Sequence, residues 1–263
     1  MTRRRLDAEL VRRGLVASRA QAQEVVRAGL VRVSGVPATK SATMVDDAAP
    51  VALLGPARAY VSRAGAKLAA ALTRFGVDVE GRDCLDAGAS TGGFTDCLLR
   101  AGAARVLAVD VGYGQLAWEL RNDPRVTVYE RTNVRTLEPE ALPFVPSVVV
   151  ADLSFISLRA VLPALVRLAA DDAAFVLLVK PQFEAGPADV GSGGVVRDPA
   201  VWRRVLVEVA GSAEALGLGI AGLMASPLPG PAGNIEFLLH ARRGARSVPA
   251  DLDAAVDEGR AIA

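Results

Sequence analysis

Three lysines, at positions 40, 67 and 180, stand in a chain that otherwise takes its positive charge from 27 arginines. Arginine stays protonated, whereas a lysine amine can exchange a proton, so the few lysines are the first places to look for chemistry. Lys180 closes the apolar run AFVLLVK, and Asp152 closes SVVVAD. Both charged groups thus stand at the ends of apolar runs, where the strands of an open α/β sheet meet a ligand-bearing edge.

A second chemical signal is LDAGASTGGF, Leu85–Phe94, a glycine-rich turn between an apolar run and a helix-like run. No G-K-[ST] follows, so it is not a triphosphate loop, and its glycine spacing departs from G-x-G-x-x-G. Asp86 decides among the remaining ligands. A carboxylate there repels a pyrophosphate and suits a ligand carrying an ammonium and a sulfonium. Asp110 ends the next apolar run, RVLAVD, where a carboxylate accepts from ribose hydroxyls. Together they point to S-adenosylmethionine (SAM).

The elements that must hold these residues alternate. CLDAG, RVLAVDVG, VTVYER, SVVVADLS and AFVLLVK read as strands, separated by helical runs such as GGFTDCLLRAG, QLAWELRND and SLRAVLPALVRLA. Strands apolar throughout are expected in a parallel sheet covered on both faces, with the ligand at their carboxyl ends. GIAGLMAS and IEFLLHAR, joined by PLPGPAGN, should form an antiparallel edge hairpin, which puts His240 on an edge strand. The fold class is α/β, with a mostly parallel seven-stranded Rossmann-like sheet. Glu184–Arg197 reads as a mobile loop over the site.

Ahead of this domain lies a small α+β module. LDAELVRRGL is a short amphipathic helix; Ser18 and Gln21 form a capping-box pattern for a second helix; Ser34-Gly35 turns a hairpin. Residues 1–40 hold nine basic and three acidic groups, +6, while the remainder carries −5. A basic end on a mildly acidic body suits a polyanion, with Arg12, Arg19, Arg27, Arg32 and the Arg3–Arg5 cluster tracking a phosphate backbone. The expected division is 1–54, a linker 55–61, 62–246 and a C-terminal extension 247–263.

The exclusions are as useful. The basic start has no apolar core after it, so no signal peptide is expected. The longest uncharged run, Ala215–Ile235, holds five Gly and three Pro and cannot be one uninterrupted membrane helix. A cytoplasmic protein without membrane partners is expected. Two cysteines, Cys84 and Cys97, read as reduced buried thiols, and no metal site is expected.

Residues 5–50 resemble the S4 domain, an RNA-binding module. Residues 62–242 resemble the FtsJ-like 2′-O-methyltransferases, a Rossmann-like class I SAM-dependent methyltransferase fold. The whole chain is similar to the TlyA (haemolysin A) family of ribosomal RNA methyltransferases, through VSRAGAKL, LDAGASTGGF, VDVGYGQLAW, ERTNVR, ADLSFISL, VKPQFE, GGVVRD and SPLPGPAGNIEFLL. The resemblance implies a Lys-Asp-Lys-Glu tetrad made of Lys67, Asp152, Lys180 and Glu236. Asp152 and Glu236 would favour the ammonium form of Lys180, while Lys67 and the sulfonium would oppose it. SAM is expected on Asp86, Gly88, Ser90, Thr91, Gly92, Gly93, Phe94, Asp110, Asn133 and Asp152. Arg3, Arg4, Arg5, Arg12, Arg19, Lys40 and Arg63 are expected to meet RNA.

Methyl transfer to a base amine typically uses [ND]PP[YF] where this chain has Asp152-Leu-Ser-Phe155, and neither cysteine is placed to attack a pyrimidine C5. A ribose oxygen is therefore the expected acceptor. Phe155 either stacks on a splayed nucleotide or packs in the core. The resemblance implies cytidine 2′-O-methylation in the RNA of both ribosomal subunits; the sequence leaves the oligomeric state open, with a monomer favoured. The alternatives are a non-catalytic RNA-binding assembly factor and a membrane-lytic protein.

Overall fold

A computed structural model describes residues 3–54, 60–247 and 251–263. The chain divides into two compact units, with the break between residues 59 and 60. Most of the expected linker, 55–59, lies outside the described residues.

The first unit runs β1 (Arg3–Arg5), α1 (Leu6–Arg12), α2 (Arg19–Arg27), β2 (Val31–Val33), β3 (Val36–Pro37), β4 (Met44–Asp46) and β5 (Val51–Leu53). β1 pairs with β4, and β3-β2-β5 form a three-stranded antiparallel sheet. The Ser18 hydroxyl accepts from the Gln21 amide at 3.2 Å, and Gln21 Oε1 accepts from the Ala17 amide at 2.8 Å, so the capping pattern starts α2. Ser34 and Gly35 take φ of +51° and +81°, the left-handed pair that a two-residue hairpin needs. Leu6, Leu10, Ala22, Val25, Val26, Val31 and Val45 close its core.

The second unit runs α3 (Arg63–Phe75), β6 (Asp83–Ala87), α4 (Gly93–Arg100), β7 (Arg105–Val109), α5 (Trp118–Arg121), β8 (Val126–Tyr129), β9 (Val148–Ala151), α6 (Leu162–Leu168), β10 (Ala174–Val179), α7 (Pro181–Glu184), α8 (Pro199–Glu214), β11 (Leu218–Ala225), β12 (Phe237–Arg243) and α9 (Leu252–Ile262). The seven strands lie in the order β11-β12-β10-β9-β6-β7-β8. β10, β9, β6, β7 and β8 are parallel, and β12 runs antiparallel between β10 and β11, so it is the one reversed strand of the seven. Both faces are covered: Cys84 packs into one layer, while Leu85 and Ala87 pack into the other. That two-sided burial is why these strands read as continuous apolar runs.

From β6 the chain winds outward to β7 and β8, then crosses back to β9 on the other side. The switch point lies between β6 and β9, where an open α/β sheet leaves a crevice at its carboxyl edge. β12 lies between β10 and β11, so His240 is not on an edge strand as expected. It is buried, its ring stacks on Phe75 at 5.4 Å, and burial, with Arg242 nearby, lowers it to about 4. Residues 251–263 carry α9, whose Ala255 and Val256 join the second unit's core and whose Gly259 lies against Ile235 and Phe237. Among the described residues no helix is long and apolar enough to cross a membrane.

Candidate active site

The glycine-rich turn leaves β6 and enters α4. Gly88 has φ +86°, and a Cβ on it would stand 2.5 Å from the Asp152 carbonyl oxygen. Gly92 caps α4 with φ +96° beside Leu120, and Gly93 lies against Ser62. Only glycine satisfies such close backbone approaches. Ser90, at φ +49°, donates its amide to Asp110 Oδ2 at 2.8 Å, and Gly112 donates to Asp110 Oδ1 at 2.6 Å. Asp110 thus ties two loops together and keeps acceptor capacity on both oxygens.

Two neighbouring cavities share Gly88, Ser90 and Asp152. The larger, about 430 Å³, is lined also by Asp110, Gln115, Asn133, Ser154 and Phe155. The smaller, about 80 Å³, adds Thr91, Gly93 and Phe94. Asn133 accepts from the Arg135 amide at 3.0 Å, which holds its turn against the larger cavity. Asp86 lines neither cavity. It is fully buried; Thr95 donates to its Oδ2 at 2.6 Å, and its Oδ1 has no protein partner. Burial, with Asp152 and Asp110 nearby, pushes its carboxyl up to about 7 against the pull of the Thr95 bond. A buried, half-satisfied carboxylate beneath a turn cleared of side chains fits a cationic ligand such as SAM. Among the described residues, no group of three or more His, Cys, Asp or Glu could hold a metal ion.

The four residues expected as a tetrad lie at the same edge, in two ion pairs. Ala151 is level with Ala87 and Leu177, and Val179 is level with Phe237, so Asp152, Lys180 and Glu236 lie just beyond the paired residues. Lys180 Nζ lies 2.6 Å from Asp152 Oδ1 and donates to Ser154 Oγ at 3.0 Å. Lys67, on α3, donates to Glu236 Oε2 at 2.5 Å; both side chains are buried. Gly230 lacks the Cβ that would crowd Glu236 Oε1 at 2.6 Å.

Phe155 is 92% exposed with φ +63°, so core packing is excluded; its ring lies 5.3 Å from that of Phe183. A bulky side chain in the left-handed region is strained. Glu184 anchors the segment from below, accepting from Ser157 Oγ at 2.6 Å and the Leu158 amide at 2.5 Å. The stretch read as a mobile loop is bonded along its length: Asn234 Oδ1 accepts from the Val196 amide, Trp202 Nε1 donates to the Val196 carbonyl, and Arg204 pairs with Asp189.

In the first unit five arginines are held by two fully buried carboxylates. Asp7 takes both Arg5 and Arg19; Glu9 takes Arg12 and Arg13, with Arg4 at 3.9 Å. These bonds, led by Arg5, hold Asp7 well below the usual carboxylate range, and those of Arg12 and Arg13 hold Glu9 at about 2. Arg3 lies opposite Asp46 on β4, and Lys40 is exposed. Arg63, in the second unit, donates to the Pro229 carbonyl at 2.5 Å, in the loop leading to Glu236. Sequence reasoning passed over Ser154, Thr95, Phe183, Glu184 and the two buried carboxylates. Nothing in hydropathy or spacing distinguishes them from ordinary surface residues.

Residues 60–243 match the family model for FtsJ-like methyltransferases, and residues 4–49 match that for the S4 domain. The chain is 58% identical over 241 residues, 91% of this chain and 90% of the relative, to the 16S/23S rRNA (cytidine-2′-O)-methyltransferase TlyA of Mycobacterium tuberculosis. It is 41% identical to Hemolysin A of Brachyspira hyodysenteriae, over 90% of this chain and 98% of that one. A solved structure from Streptococcus thermophilus that bears a hemolysin label covers 100% of this chain and 97% of its own, with 41% identity and a TM-score of 0.80.

Proposed function

Because the chain belongs to the FtsJ-like methyltransferase family, among its TlyA members, we propose that it methylates the 2′-oxygen of cytidine in the RNA of both ribosomal subunits, using SAM. One observation carries the reading: the Lys180 amine is held 2.6 Å from Asp152, and Asp152 lines the cavity framed by the glycine turn. Amine and cavity therefore share one side chain.

SAM supplies a methyl group on a sulfonium, with a neutral thioether as leaving group. What the chain must add is aim and easier loss of the hydroxyl proton. Asp86, with its free Oδ1, answers positive charge, and Asp110 offers its remaining lone pairs to ribose hydroxyls. Asn133, Ser90, Thr91 and Phe94 close the cavities around them. Lys180 orients the substrate hydroxyl and eases its deprotonation, and Asp152 keeps the amine in place. Lys67 and Glu236 form a buried ion pair at the same end of the sheet. Phe155 offers an exposed ring to a nucleotide drawn out of its stack. The Arg3–Arg5 cluster, Arg12, Arg19 and Lys40 grip RNA phosphates, and Arg63 orders the loop before Glu236. The protein acts in the cytoplasm, as a monomer.

Methyl-labelled SAM and separated subunits lacking the modification test the reading, with digestion and mass spectrometry of the RNA. 2′-O-Methylcytidine should appear with the wild type and fall by roughly 100-fold or more with Lys180→Ala. Label on a base would overturn the assignment. Two relatives carry a hemolysin label, so leakage from liposomes is the companion measurement; none is expected.

A further inference from the structure

We infer that Ser154 is a positioning residue for methyl transfer: its hydroxyl is the second of two fixed acceptors that aim the Lys180 amine. The inference rests on the role of Lys180 proposed above. An ammonium has three donor bonds and no acceptor. Ser154 accepts from Lys180 Nζ at 3.0 Å, and Asp152 faces the same nitrogen as its ion-pair partner at 2.6 Å. With the Phe183 ring 5.9 Å away, these neighbours limit the directions from which a substrate hydroxyl can meet the amine. With Asp152 alone, an amine on a flexible four-carbon stem swings about the carboxylate. Both acceptors line the larger cavity, so the segment that shapes the cavity also aims the amine.

That segment is held at both ends. Phe155, next to Ser154, sits at φ +63°, a conformation that persists only where its surroundings enforce it. Enforcement comes from Glu184, which binds Ser157 and the Leu158 amide, while Arg159 donates to the Glu184 carbonyl at 3.0 Å. Glu184 closes α7, and α7 begins immediately after Lys180. The loop and the short helix are thus joined by Ser154 and Lys180 at the mouth and by Ser157 and Glu184 at the base. Ser154 itself is exposed, so its hydroxyl adds nothing to core packing and its loss leaves the fold intact.

The test compares Ser154→Ala and Ser154→Thr with the wild type and Lys180→Ala, in the full chain, for methyl transfer to subunits lacking the modification. In parallel, 13C relaxation of the lysine Cε groups reads the mobility of each amine; three lysines give three signals, and Lys180→Ala identifies one. Ser154→Ala should lower kcat roughly 10- to 50-fold while KM for the subunit and the SAM Kd stay within about twofold. Its Lys180 Cε should become more mobile, and threonine should restore both rate and order. A wild-type kcat in Ser154→Ala, or a loss confined to KM, overturns the inference. If the wild type itself methylates neither subunit, the proposed function fails instead. The Lys180 Cε signal then decides for Ser154, and unchanged order overturns its role.

Discussion

Gly88 and Asp152 meet backbone to backbone, so that a Cβ on the glycine would stand 2.5 Å from the aspartate's carbonyl oxygen. They follow two adjacent parallel strands, β6 and β9, on either side of the switch point. The turn framing the cavity and the strand carrying a candidate catalytic carboxylate are therefore packed without room for a methyl group. Gly88→Ala combines this clash with a left-handed φ, a strain of about 1–3 kcal/mol. We expect SAM affinity to fall by roughly tenfold or more. Titration calorimetry checks it, and wild-type affinity would show that the turn can shift without loss.

Lys67 and Glu236 are both buried, which makes each intolerant of losing the other. Removing one partner of a buried pair strands a charge and costs about 3–5 kcal/mol, whereas replacing both by apolar groups can be near neutral. Lys67→Met and Glu236→Leu should each destabilise the protein strongly, and the double variant should recover much of the loss. Urea unfolding of all four proteins gives the coupling directly. Additive losses would mean that water reaches the pair.

Asp86 ties stability and cofactor binding to pH in opposite senses. Its carboxyl is pushed by burial up to about 7, from an ordinary 3.8. Below pH 3.8 it is neutral in both folded and unfolded chains, and its contribution to stability is full. As the pH rises through 7 the folded protein must ionise it in a dry site, and that contribution is lost. Asp86→Asn should raise the Tm of the cofactor-free protein at pH 8 by roughly 4–8 °C, for a gain of about 2 kcal/mol. A cationic ligand prefers the ionised form, so SAM should bind the wild type more weakly as the pH falls below 7. The variant should bind weakly with little pH dependence; a flat wild-type profile would refute the link.

Asp7 holds Arg5 from β1 and Arg19 from α2 on one buried carboxylate. Neutralising it adds positive charge, which by itself strengthens binding to any polyanion. It also frees the two guanidinium groups that Asp7 holds in one arrangement. We expect arrangement to outweigh charge. Asp7→Asn should weaken binding to the ribosomal subunit roughly 5- to 20-fold, while affinity for a single-stranded homopolymer holds or rises. Parallel gains on both would mean that only net charge matters.

Short-range geometry is legible in the sequence. The Ser18–Gln21 capping box, the Ser34-Gly35 turn and the apolar runs from β6 to β10 each state a rule of short-range geometry. The glycines of Leu85–Phe94 marked close approach before any approach was visible. What the chain did not disclose depends on order in space. His240 was placed on an edge because two strands close together in sequence read as an outer hairpin, yet the second of them returns beside β10. Ser154, Glu184 and Arg63 look like any surface residue until strand order brings them to Lys180, Leu158 and Pro229. Asp7 and Glu9 counted only as charge to be subtracted, when burial makes each the anchor of several arginines.

The way the amines are held also bears on how the protein meets acylating reagents. Lys67 is sealed against Glu236, and Lys180 is tethered to Asp152 and Ser154, with only 11% of its side chain exposed. Lys40 is the lysine left open to solvent. A dye, an acetyl group or a photo-crosslinker aimed at side-chain amines would therefore gather at one point on the small basic unit, 27 residues before Lys67 in the chain. Chemical labelling becomes nearly site-selective without mutation, and it reports from the end of the protein that carries the S4 domain.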